Sequence, residues 1–224
     1  RLIDWETLTD EKGHRLIAFG RWAGIVGAYH AIRMIGLSTQ TFALKQMSEC
    51  HNFKEAQGEV AKIKLPKLKI VLTGTGRVSN GAAFLLNLAG IKKVSPHDFC
   101  YKEFDHIVYT QLESRDMYHR EENETFDRED FHKHPELYKS NFYPFTKVAD
   151  VLINGVYWDK RIPVFFSAEQ MREKDFAIQQ IADITCDIGP DSSVPSTIQP
   201  STIAHPYYGY NPQTSQVTEP FIPN

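Results

Sequence analysis

The sequence predicts an α/β protein built on a doubly wound parallel sheet, and three observations carry that expectation. Apolar, β-branched runs recur along the 224 residues with helix-period stretches between them. One such run, Leu68-Lys-Ile-Val-Leu-Thr73, stops at a glycine pair, Gly74 and Gly76, and resumes as a helical pattern through Ala82, Leu85, Leu86 and Ala89. Two later apolar runs end on polar residues, Asn154 and Asp187, at the carboxyl ends where ligands of parallel sheets bind. With right-handed crossovers, this alternation covers both faces of one sheet.

Taken in order, Leu2 to Trp5 reads as a short strand-like opening, followed by a polar turn at Asp10 to Gly13 and an apolar strand from Arg15 to Phe19. Residues 21–36 place Trp22, Ile25, Val26, Tyr29, Ile32 and Ile35 at three- and four-residue spacing, the stripe of a helix. Ala23, Gly24, Gly27 and Ala28 on that helix would admit another backbone. Glycine in a helix costs about 1 kcal/mol against alanine, so close packing is the expected compensation. A second helical stretch is expected from about Thr39 to Cys50 and a third from near Phe53. After the glycine turn and its helix, Ile91 to Val94 reads as a second strand, His106 to Tyr109 as a third, Val148 to Tyr157 as a buried fourth, and Ile181 to Asp187 as a last. The charged stretch from Glu113 to Lys147 should lie at the surface, Ser167 should cap a helix, and from Gly189 the chain turns Pro-rich and polar with no helix or strand period.

Composition sets limits on function. At 42% hydrophobic and 24% charged, the chain can bury a sizeable core. A net charge of −3 gives no general attraction to nucleic acid or anionic membrane, so neither is expected as a partner. No apolar run approaches the roughly 18 residues of a spanning helix, and the start at Arg1 shows no secretory pattern; the expected compartment is the cytoplasm. Cys50, Cys100 and Cys186 lack C-x-x-C spacing and argue against a disulfide framework or a zinc site. His132 and His134 have no further ligand cluster at metal spacing and read as solvated, so no metal is expected. The chain opens at Arg1 without a methionine, and it reads as a piece of a longer polypeptide.

The glycine turn is where chemistry is expected. Strand, tight turn and helix bring backbone amides and the positive helix end to a pyrophosphate, which side chains at Gly74 and Gly76 would obstruct. A strict G-x-G-x-x-G would place its third glycine at 79; here Ser79 stands there, small enough for close packing, with Gly81 two residues on. A nicotinamide-dinucleotide fold carries a ribose-binding carboxylate after its second strand. The residues there are Ser95 and Pro96, so NADP is permitted beside NAD. Arg77, Lys92 and Lys93 either meet a 2′-phosphate or are solvated. Asn154 and Asp187 either hydrogen-bond the nicotinamide amide and its ribose or cap the following loops.

Several stretches resemble the alanine dehydrogenase and transhydrogenase superfamily, and within it the saccharopine dehydrogenase (lysine-forming) and lysine–ketoglutarate reductase family. They are Leu2 to Asp4 with Gly13, Arg15 to Gly27, Thr73 to Gly81, His134 to Tyr138, Pro144-Phe145, Leu152 to Trp158, Asp183 to Asp187 and Thr202 to Tyr210. The resemblance implies a Rossmann-like NAD(P)-binding domain, one lobe of a two-lobe oxidoreductase that interconverts lysine plus 2-oxoglutarate with saccharopine, with homo-oligomerisation possible. It divides the chain into a segment 1–20 entering from the other lobe, a dinucleotide-binding domain 21–211, and an exit segment 212–224. It sets Gly74, Gly76, Arg77 and Val78 against the pyrophosphate and Ser95 beside the adenosine ribose. Asn154, Gly155 and Val156 fall near the nicotinamide, Asp187 near the cleft, and Arg15, Phe19 and His205 along the substrate cleft. The family's lysine–histidine acid–base pair would precede Arg1, and no catalytic residue is named in this chain. A different amino-acid dehydrogenase of the alanine type, a non-catalytic dinucleotide-sensing module and a structural protein without a ligand are the other readings.

Overall fold

The computed structural model describes residues 3–221; Arg1, Leu2 and residues 222–224, named above, lie outside the described residues. In chain order the first half contains α1 (Gly20–Thr39), α2 (Phe53–Val60), β1 (Lys69–Thr73), α3 (Arg77–Leu88), β2 (Lys92–Lys93), α4 (Pro96–Tyr101) and β3 (Val108–Leu112). The second half contains α5 (Ser114–Met117), β4 (Tyr118–Arg120), α6 (Arg128–Lys133), β5 (Tyr138–Ser140), α7 (Tyr143–Thr146), β6 (Val151–Asn154), β7 (Gln180–Asp183), β8 (Gly209–Asn211) and β9 (Gln216–Thr218).

Five strands form one parallel sheet in the order β2-β3-β1-β6-β7, the α/β architecture that the alternating pattern predicts. Period-two alternation sends successive side chains to opposite faces, and two cores result. Ile70, Leu72, Tyr109, Val151 and Ile153 pack beneath α1, α2 and α3, while Val71, Val108, Leu112 and Leu152 pack against Phe99, Phe142, Phe145, Phe165 and Phe166 on the other face. The chain leaves β1 through α3 on the first face. The segments that return it through β3, β6 and β7 cover the second, so the winding changes direction between β1 and β6.

The helix over 21–36 is observed as α1, and its small residues have the expected use. A Cβ on Gly24 would lie 1.8 Å from the Val78 carbonyl oxygen, and one on Gly81 would lie 2.1 Å from the Arg21 carbonyl oxygen. Thus α1 and α3 cross backbone to backbone, with Ile25, Tyr29, Ile32 and Ile35 buried beneath. Each such side chain contributes about 1.5–3 kcal/mol, which offsets the glycines.

Several expectations are corrected. The strand over Arg15–Phe19 is reduced to a single bridge between Thr9 and Arg15. The Asp10 carboxylate gathers the amides of Lys12 and His14 into a turn, and Leu16 and Phe19 are left exposed. The opening at Ile3 to Trp5 leads into a 3₁₀ turn capped by Asp4. No helix spans Thr39–Cys50: the Ser38 and Thr39 hydroxyls bond back to Ile35, Gln40 turns left-handed, and only a 3₁₀ turn at Met47–Glu49 succeeds it. Ser167 does not cap a helix: only a 3₁₀ turn at Gln170–Arg172 follows, its N-cap is Glu169 with no side-chain cap bond, and Ser167 exchanges local bonds with Gln170, its hydroxyl accepting from the Gln170 amide and its own amide donating to Gln170 Oε1. The charged stretch after β3 is not wholly superficial, because Tyr118, Phe131, Tyr138, Phe142 and Phe145 reach the core. The tail is not featureless either: β8 and β9 pair antiparallel across an Asn211 turn whose side chain accepts from Gln213 and Thr214. No helix among the described residues is long and apolar enough to cross a membrane.

Candidate functional site

The point where the winding reverses lies at the carboxyl ends of β1 and β6, which is where open α/β sheets bind ligands. β1 ends at Thr73 because Gly74 adopts φ +88°, a left-handed conformation that a side chain disfavours. A Cβ there would also lie 2.7 Å from the Ser79 hydroxyl. That hydroxyl lies 2.8 Å from the Thr73 carbonyl oxygen and 3.0 Å from the Gly155 carbonyl oxygen, both acceptors for its proton. Ser79 therefore does more than the expected small spacer: it fastens the first turn of α3 to the ends of β1 and β6. Gly155 makes room from the other side, since its Cβ too would stand 2.7 Å from the same oxygen.

Gly76 behaves differently. It takes an ordinary extended conformation at the N-cap of α3, and a Cβ on it would meet nothing within 4 Å. The fold does not need glycine there; the missing side chain leaves open space directly before the helix. No side chain caps α3, its first turn holds no acid, and the amides of Arg77 and Val78 find no acceptor among the described residues. Uncapped amides at the positive end of a twelve-residue helix, with the exposed Arg77 beside them, form an anion site.

Behind this turn the strand ends are locked by a ladder of side chains that the sequence reading did not assemble. Thr73, Asn154 and Asp183 stand in register on β1, β6 and β7. The Thr73 hydroxyl donates to Asn154 Oδ1 at 2.7 Å, and Asn154 Nδ2 donates to Asp183 Oδ1 at 3.0 Å and to the Ser193 hydroxyl at 2.9 Å. Asp183 also accepts from the Thr185 amide and hydroxyl and from the Thr197 hydroxyl. Asn154 is fully buried, and its side chain is spent on Thr73, Asp183 and Ser193 rather than on the loop that follows β6. What it holds in place is the backbone at Gly155 and Val156, beside Gly74: a Cβ on Gly74 would touch Val156 Cγ1 at 3.2 Å. Tyr157, next in sequence, is 91% exposed at this rim, a large aromatic surface that the sequence reading left without a role.

Asp187 lies past β7, half-buried; burial, then the charges of Asp183 and Asp191, push its carboxyl above the usual range. Ser95 caps α4, accepting from the Asp98 amide at 3.0 Å, and it lies one strand farther from the turn than the sequence reading assumes, because β3 separates β2 from β1. Lys93 donates to Gln111 Oε1 at 2.8 Å, whereas Lys92 is exposed. Arg15 pairs with Glu6, exposed. Phe19 is exposed and precedes Gly20, whose Cβ position is 3.4 Å from Arg77 Cβ. His205 is exposed in the late loop, its amide bonded to the Thr202 hydroxyl. No group of three potential metal ligands occurs among the described residues.

No protein-family model matches the chain. Among curated proteins, the alpha-aminoadipic semialdehyde synthase of Arabidopsis thaliana is 29% identical over 252 residues, covering 96% of this chain and 24% of its own length. The mitochondrial alpha-aminoadipic semialdehyde synthase of Mus musculus is 28% identical, covering 94% of this chain and 27% of its own length. A saccharopine dehydrogenase (NAD+, L-lysine-forming) of Schizosaccharomyces pombe is 23% identical over 92% of this chain and 50% of its own length. An L-alanine dehydrogenase structure aligns over 77% of this chain and 41% of its own at 13% identity, with a TM-score of only 0.31. The chain thus spans about a quarter of the synthases and half of the dehydrogenase. Over nearly all of its own length it is a homologue of the alpha-aminoadipic semialdehyde synthases and lysine-forming saccharopine dehydrogenases.

Proposed function

We propose that this chain is the nicotinamide-dinucleotide-binding lobe of an oxidoreductase that interconverts lysine plus 2-oxoglutarate with saccharopine. The observation that supports it most is the uncapped start of α3, with unpaired amides at Arg77 and Val78 and open space in place of a Gly76 side chain. The substrate class comes from the names of the homologues. In this reading Gly74, Gly76, Arg77 and Val78 hold the pyrophosphate. Gly155 and Val156 border the nicotinamide, with Asn154 fixing their backbone, and Asp187, Arg15, Phe19 and His205 line the cleft. Bound NADH or NADPH supplies the hydride; the chain's own residues bind, orient and shield. Residues 1–20 and 212–224 connect the 21–211 domain to the rest of the enzyme, which assembles as a homo-oligomer. Three unbridged cysteines fit a reducing compartment, and we assign the cytoplasm, with the mitochondrial address in the mouse and rat names as the competing one.

Calorimetric titration with NADH and NADPH, repeated on Gly76→Val, tests the reading. The valine points into open space, so stability should change by no more than about 1 kcal/mol, while nucleotide binding should be lost. Failure of the unmodified chain to bind either nucleotide, or undiminished binding by the variant, would overturn it.

A further inference from the structure

Residues 202–221, which include β8 and β9, form one wall of a groove of about 1300 Å³. The opposite wall is β7, the last strand of the sheet, with Ile181 and Asp183 facing Tyr207 and Tyr208 across the opening. None of the residues 202–221 is buried, so apolar packing does little to hold this strap down. Its hold on the rest of the protein is polar and local, the kind of segment that opens at low cost. Gln46 Nε2 donates to the Ile203 carbonyl at 2.6 Å, Arg172 Nε to the Pro212 carbonyl at 2.7 Å, and the Tyr207 hydroxyl meets two residues of α1.

That last contact has a fixed proton order. Arg33 Nη1 donates to the Tyr207 oxygen at 3.1 Å, and the same oxygen lies 2.9 Å from His30 Nδ1. A guanidinium only donates, and the phenol proton finds one acceptor among the described residues, His30 Nδ1. His30 is therefore neutral there, with its own proton on Nε2. A second proton, on Nδ1, would turn the acceptor into a donor, point three hydrogens at one oxygen, and set a new cation one helical turn from Arg33.

We propose that His30 and Tyr207 form a pH-sensitive latch: neutral His30 holds the strap on α1, and its protonation releases the strap and opens the groove along β7. No neighbour offers the imidazolium a carboxylate. On α1 stand Tyr29, whose hydroxyl donates to the Lys45 carbonyl, and Arg33, whose Nε donates to the Leu44 carbonyl. In the loop after α1, Lys45 is paired with Glu55, and on α2 Glu59 is paired with Lys62. On β7, Asp183 is engaged by Asn154, Thr185 and Thr197; on the strap, His205 and Glu219 are exposed. Burial, then the Arg33 charge, lower the His30 pKa from its ordinary 6.5. A lowered imidazole supports the closed strap fully above 6.5, and that support is lost as pH falls from there through the lower value of the closed form.

Chymotryptic cleavage at Tyr207, Tyr208 and Tyr210, expressed at each pH relative to a free peptide of residues 202–214, tests the latch. Cleavage of an opening segment follows the open population. It should rise as pH drops below about 6.5, by up to about tenfold per pH unit, the limit for one proton. His30→Asn puts an oxygen that does not titrate in the place of Nδ1, so cleavage should stay low and flat with pH. Tyr207→Phe removes both bonds, and at every pH it should be cut as fast as the unmodified chain in acid. Cleavage at the buried Phe142 and Phe145 reports global unfolding in the same digest. The proposal falls if strap cleavage of the unmodified chain is flat with pH, if it rises only together with cleavage at Phe142 and Phe145, or if either variant keeps the slope. The first two outcomes need no substitution, so a variant that fails to fold leaves the test decisive.

Discussion

Thr73 and Asn154 stand opposite each other on neighbouring parallel strands, both fully buried, and the threonine hydroxyl donates to the asparagine side-chain oxygen at 2.7 Å. This bond is the first rung of the ladder that continues to Asp183 and fixes the height at which three strands end. The loops rising from those ends start from a common level because of it.

Breaking the ladder at its centre should cost stability before it costs chemistry. Asn154→Leu removes the partner of Thr73 and one donor each to Asp183 and Ser193, and should lower the unfolding free energy by about 2–4 kcal/mol in urea titration. Asn154→Asp keeps the shape but sets a second carboxylate against Asp183. Its deficit relative to the unmodified chain should be larger at neutral pH than below about pH 5, where protonation relieves the repulsion and restores a donor.

The crossing of α1 and α3 should tolerate no side chain. Gly24→Ala and Gly81→Ala each drive a Cβ into a carbonyl oxygen and should destabilise by about 3 kcal/mol or more, measured by thermal unfolding. Gly58→Ala in α2, where a Cβ meets nothing within 4 Å, should instead stabilise by about 0.5–1 kcal/mol.

The loop beyond β6 carries a pH-sensitive pair. Arg161 donates to both Asp159 oxygens and holds that carboxyl down at about 2, below the ordinary 3.8. A depressed carboxyl stabilises the folded state above its unfolded value, and this contribution is lost as pH falls from near 4 toward 2. An NMR titration of Asp159 should give a midpoint near 2, and Arg161→Ala should move it back toward 3.8.

Strand, glycine turn and helix were legible because their constraints are local. A left-handed Gly74, a β-branched run and a helical stripe leave their mark within about twenty residues, and the small residues of α1 announced a close neighbour. The order of the strands was not legible. β2 consists of two exposed lysines and has no apolar side chain to state which strand it joins, so its place at the edge, with β3 between it and β1, does not follow from the residues alone. Asn154 could be seen as a polar residue at the end of an apolar strand, but its partners depend on register, which puts Asp183 rather than Asp187 beside it. The tail hairpin turns on an Asn211 side-chain motif whose flanking strands are three residues each, too short for a period to emerge.

The position of β3 between β1 and β2 also dictates an order of assembly. Val94 finds its acceptor on Tyr109, at 2.9 Å, and β2 has no other neighbour in the sheet. The Val94 amide thus has no sheet acceptor until β3 lies beside β2, with α4 held in the loop between them. Exchange at Val94 therefore reports the pairing of that edge with β3.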